Sequence, residues 1–96
     1  MSFVDNYIYY DYDEYVKHYN IFKKDYDDIK DYYEHFIPFC NNMILMCDKL
    51  IKLCENDIIK CKTHKDKEYE EMINKFNELI CNIRNLQNDY INLSKT

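Results

Sequence analysis

The stretch CNNMILMCDKLIKLCENDIIKC, residues 40–61, places Cys40, Cys47, Cys54 and Cys61 seven residues apart. A helix rises 1.5 Å per residue, so neighbours in this ladder stand roughly 10.5 Å apart along one face, too far for two of them to hold one ion. Seven is also the period of a helix that keeps one seam against a partner. Working outward, Tyr12, Tyr15, Tyr19, Phe22, Tyr26, Ile29, Tyr33, Phe36, Cys40, Met43, Cys47, Leu50 and Cys54 follow in alternating steps of three and four. Only Asp57 interrupts the seam before Cys61. The cysteines therefore read as small buried core residues, the usual station of a free thiol.

A second seam runs through Tyr69, Met72, Phe76, Leu79, Ile83, Leu86, Tyr90 and Leu93. Continuing the first frame would put Glu68 and Glu71 in it, so the phase slips within the polar stretch Lys62–Lys67. A slip in a polar stretch predicts a turn, with Thr63 or Asp66 as N-cap of the helix that follows. The 96 residues contain no glycine, and a chain without that source of positive φ suits helices better than hairpins. The fold class expected is all-α: a coiled-coil-like helical hairpin in a single domain. Its parts are an N-terminal arm over 1–10, a long helix over 11–62, a turn at 63–67 and a second antiparallel helix over about 66–94. Pro38 falls inside the long helix, where it removes a hydrogen bond and costs ~3 kcal/mol. The phase survives across it, which predicts a kink; the alternative is a break giving a three-helix antiparallel bundle.

Nine of the eleven tyrosines lie in the first third of the chain. Tyrosine suits half-buried surfaces, because its ring is apolar and its hydroxyl needs a partner or water. Tyr12, Tyr15, Tyr19, Phe22, Tyr26, Ile29, Tyr33 and Phe36 accordingly form the expected partner interface. The seam core expected is Cys40, Met43, Cys47, Leu50, Cys54, Cys61, Met72, Phe76, Leu79, Ile83 and Leu86. Ile44, Ile51 and Ile58, with Met46 and Leu53, broaden the apolar stripe on both sides, so this segment should meet at least two other helices.

The net charge of −5 disfavours a nucleic-acid partner, since phosphate binding needs a cationic surface. No apolar run approaches the roughly 18 residues of a membrane span, and the start MSFVDNYIYY has neither the basic head nor the apolar core of a secretory signal. Together with an odd number of cysteines, this predicts an intracellular, cytoplasmic protein with reduced thiols. No nucleophile stands beside a base and no phosphate-binding turn is present, so catalytic residues, metal ligands and cofactors are expected to be absent. The function expected is that of a non-enzymatic structural or adaptor subunit, joined to helical partners in a hetero-oligomer rather than a homo-oligomer. Ile37, Pro38 and Cys40 in FIPFC resemble the proline-bearing helix of the tubulin-binding cofactor A family, three-helix chaperones of β-tubulin; that resemblance implies a small helical folding cofactor. A thiol-based redox protein is the remaining rival, and it would need Cys47 or Cys54 to be reactive.

Overall fold

A computed structural model describes residues 3–31 and 37–95, with side chains from Tyr7 onward. They form three helices: α1, Phe3–Ile29, α2, Ile37–Lys62, and α3, Lys67–Lys95. No strand occurs among the described residues.

Helix α1 starts well before the expected Tyr12. Residues 3–10 make its first two turns instead of a separate arm. The reason is visible in Ile8, which is 2 % exposed and stands seven residues before Tyr15, on the same face of the helix. Pro38 is the second residue of α2. In a first turn the backbone N–H has no helical acceptor, so a proline there forfeits nothing. Whether the chain kinks or breaks ahead of Pro38 turns on residues 32–36, which lie outside the described residues together with the expected interface residues Tyr33 and Phe36.

The turn sits where the phase slips. Thr63 closes α2, its hydroxyl donating to the Lys60 carbonyl at 2.7 Å and its N–H to the same oxygen at 3.3 Å. Asp66 immediately precedes α3, and its carbonyl accepts from the Tyr69 N–H at 3.1 Å. His64 stacks on Tyr69 with ring centres 4.2 Å apart, covering the end of the seam.

Helices α2 and α3 bury most of the apolar surface. Cys40, Cys47, Cys54, Cys61, Phe76, Ile83 and Tyr90 are wholly buried, and Met43, Leu50, Met72, Leu79 and Leu86 nearly so. The Gln87 side-chain amide donates to the Ile44 carbonyl at 2.9 Å, which brings the beginning of α2 beside the end of α3. Helix α1 lies on this pair. Tyr12 meets Phe76 edge-on at 5.5 Å and Tyr26 meets Tyr90 edge-on at 5.3 Å, so α1 runs in the same direction as α3. The Cα framework measures 50 × 17 × 16 Å.

Candidate functional site

Two regions carry polar or exposed groups that packing alone does not account for: the contact of α1 with the seam around Asp57, and the open side of α2 and α3.

Asp57 occupies the seam position where a large apolar residue is expected, and it is 2 % exposed. Its Oδ1 lies 3.5 Å from Lys60 Nζ, whose side chain is mostly in solvent. Its Oδ2 is buried without a hydrogen-bond partner. From α1, Tyr15 and Asp11 face it. Burial, and then interaction with Asp57, hold the Tyr15 phenol above its ordinary range. The same two causes, in the same order, raise the Asp11 carboxyl. A carboxylate among aromatic rings is a poor solvent for a neighbouring negative charge, so each group near Asp57 favours its protonated form.

The thiols follow the same logic. Burial pushes Cys47 up to about 11 and Cys54 up to about 12, with Asp57 and Glu55 adding to the rise at Cys54. Cys40 and Cys61 are raised as well, chiefly by burial. The thiolate is the nucleophile and the metal ligand, and these environments suppress it. Among the described residues no three His, Cys, Asp or Glu side chains are grouped to hold a metal ion. Cys81 is the exposed thiol, on α3.

The expected interface residues are placed as follows. Tyr12, Tyr15, Tyr19, Phe22 and Tyr26 are half-buried and packed against the chain's own core, and Ile29 is buried. Tyr90, wholly buried on α3, donates its hydroxyl hydrogen bond to the Phe22 carbonyl and so pins α1 through its backbone. Every expected seam-core residue from Cys40 to Leu86 is buried. The groups that sequence reasoning left out are Ile8, legible from its seven-residue distance to Tyr15, Ile80, which stands beside the α3 seam next to Leu79, and Asp57, noticed only as a fault in the pattern.

Outside the core, Tyr7 (68 % exposed), Tyr10 (64 %) and Ile21 (54 %) share one face of α1 with the Glu14–Lys17 ion pair. Charge is segregated along the chain. Residues 1–36 carry nine carboxylates against four lysines, the whole net charge of −5, whereas residues 37–96 carry nine of each sign. No helix among the described residues is long and apolar enough to cross a membrane. Compared with known protein families, curated proteins and solved structures, the chain matches none.

Proposed function

We propose that the chain is a non-enzymatic helical subunit, an up-down-up three-helix bundle whose outer surface joins it to another helical chain of a larger assembly. The bundle geometry is supported by distance: a continuous helix would put Tyr15 and Asp57 roughly 60 Å apart, and they are in direct interaction. The reading rests on one observation above others, the stripe of Tyr7, Tyr10 and Ile21 on the outside of the acidic helix α1. Tyrosine presents a large ring to a partner at low entropic cost and satisfies its hydroxyl at a wet rim. The acidic residues beside it select a partner surface that is basic. The buried, protonated thiols support a packing role for the cysteine ladder over a redox role. The wide seam of α2 supports a coiled-coil-like scaffold.

The test is a comparison of wild type with Tyr7→Glu/Tyr10→Glu as baits in the native host. Both positions are exposed, so far-ultraviolet circular dichroism should be unchanged. The expected result is loss of a basic, helical partner that the wild type retains at stoichiometric level. Identical partner profiles for the two baits would refute the reading.

A further inference from the structure

Among the described residues Asp57 is the charged side chain that the fold buries, and the bundle satisfies only half of it. Lys60 reaches Oδ1, at 3.5 Å, from a head mostly in solvent, and Oδ2 has no hydrogen-bond partner. Two groups of α1 face this carboxylate, Asp11 and Tyr15. Four residues apart, they lie one above the other on the same face of the helix, and the Tyr15 ring is seated there by its contact with Phe76 of α3 at 6.2 Å. What Oδ2 lacks is a donor. An ionised aspartate only accepts hydrogen bonds, whereas a protonated one also donates, so Asp11 is the neighbour that gains or loses a donor in the acid range.

We propose that Asp11 and Asp57 form a proton-operated latch: one proton held between the two carboxylates clamps the first half of α1 onto α2, and its loss loosens that half while α2 and α3 stay paired. With the proton in place Asp11 donates to the bare Oδ2; without it two acceptors oppose each other and neither satisfies the other. The sign follows from Asp11, whose carboxyl is raised above its ordinary value by burial first and then by Asp57, with Lys60 opposing. A raised carboxyl contributes stability that is complete below its ordinary value of about 4 and is lost as pH climbs through the raised one. The latch therefore closes in acid and loosens toward neutrality. The other titratable groups around the pair are Tyr15 on α1, Lys60, Cys54 and Cys61 on α2, and from α3 Lys75 and Glu78, which act at the neighbouring Tyr12. Burial above all keeps the Tyr15 phenol and both thiols protonated across this range, so they do not compete for the switch. Helix α1 is the element that moves because its rings are only half-buried, whereas the side chains with no exposure at all belong to α2 and α3. Loosening frees Ile8, which lies one turn before Asp11 beside Tyr69 and Met72. This goes beyond the reading above and does not depend on it.

Hydrogen exchange of the full chain between about pH 4.5 and about pH 7.5, with each rate divided by that of the unstructured chain at the same pH, tests it. Protection across residues 8–20 should fall by at least about threefold over that range relative to α2 and α3. Asp57→Asn and Asp11→Asn each place an amide donor in the pair at every pH, so each should hold α1 at its acid level of protection up to the top of the range. Asp13→Asn removes the same charge from an exposed position of α1 and should keep the wild-type dependence, which separates the latch from general relief of an acidic helix. Circular dichroism checks that each variant keeps its helices; should Asp57→Asn fail there, Asp11→Asn, at a half-buried position, carries the test alone. Wild-type protection that is flat, or that rises with pH, overturns the proposal. So does wild-type dependence in either folded asparagine variant of the pair, or an Asp13→Asn chain as flat as Asp11→Asn.

Discussion

Replacing Asp57 by leucine should make the protein more stable. The carboxylate is 2 % exposed, one oxygen has no hydrogen-bond partner, and the other reaches a lysine head that sits largely in solvent. A buried oxygen without a partner costs about 1–3 kcal/mol. Asp57→Leu removes that cost and buries a side chain whose transfer is favourable by about 1.5–3 kcal/mol. Against this stand the pairing with a mostly exposed lysine, at most about 1 kcal/mol, the interactions of Tyr15 and Asp11 with the carboxylate, about 0.5–1.5 kcal/mol each, and the fit of a slightly larger side chain. A net gain of about 1–2 kcal/mol results, within the range found when buried ionic groups give way to apolar ones of similar volume. In urea denaturation at pH 7, with a slope of about 1–2 kcal/mol per molar for a domain of this size, the midpoint should rise by about 0.5–2 M. The slope itself should stay constant. A midpoint that falls by more than about 0.5 M, with helix content preserved, would refute the reasoning: Asp57 would then be held by Lys60, Tyr15 and Asp11 strongly enough to outweigh its desolvation. The substitution also removes the one charged side chain buried in the seam among the described residues, so the variant's sharpness of native structure, read from near-ultraviolet dichroism of the tyrosines, shows whether stability has been traded against a single register.

Ellman's reagent at pH 8 should label Cys81 promptly and the four ladder cysteines only after unfolding, because burial keeps those thiols protonated; prompt native labelling of Cys47 or Cys54 would restore the redox rival. Tyr12, Tyr15, Tyr26 and Tyr90 have phenols raised in the folded state, mainly by burial, so their contribution to stability is fully present below the ordinary phenol value near 10 and is lost as pH rises above it. Phenolate absorbance near 295 nm should show a late-ionising class whose appearance coincides with loss of helix, and simultaneous ionisation of all eleven tyrosines near pH 10 with the fold intact would contradict it. Tyr90→Phe deletes the hydrogen bond to the Phe22 carbonyl while keeping the ring, and should cost about 0.5–1.5 kcal/mol in urea denaturation, with no loss expected if α1 were only loosely apposed.

The helical class, the two seams and the position of the turn were legible because all three are local: a period of three and four fixes a face, and a break in phase fixes a bend. Where α1 docks was not legible, because it depends on a tertiary choice among flanks. Residues 43–58 are apolar toward both Met46 and Leu53 on one side and Ile44, Ile51 and Ile58 on the other, and no local rule decides which side α1 takes. Asp57 marks that choice only after the fact, since a carboxylate breaking the pattern reads the same whether it faces solvent, a lysine or another helix. Ile8 was missed for a simpler reason: it is surrounded by Tyr7, Tyr9 and Tyr10, and four apolar residues in a row hide the one that points inward.

Cysteine at four successive positions seven apart is physically useful because the rings it faces are large. Tyr12 and Tyr15 reach Phe76 from α1, and Cys54 lies close enough to both phenols to interact with them, so this thiol sits beside a cluster of three rings. Cys40 stands in the same relation to Tyr26 and Tyr90. A core at constant density must alternate large and small across facing positions, and a seam with leucine at every one of these sites would hold the rings of α1 off α3. Cys54→Leu is therefore an overpacking change, costing about 1–3 kcal/mol although it adds apolar surface, whereas Cys54→Ala removes only one sulphur atom's volume and should cost about 1–2 kcal/mol. Leucine should also loosen α1 selectively, so hydrogen exchange should accelerate across residues 8–29 while α2 and α3 retain their protection. If Cys54→Leu proves as stable as wild type with unchanged exchange in α1, the rings do not depend on the thiol for their room, and the ladder has no packing role of the kind inferred.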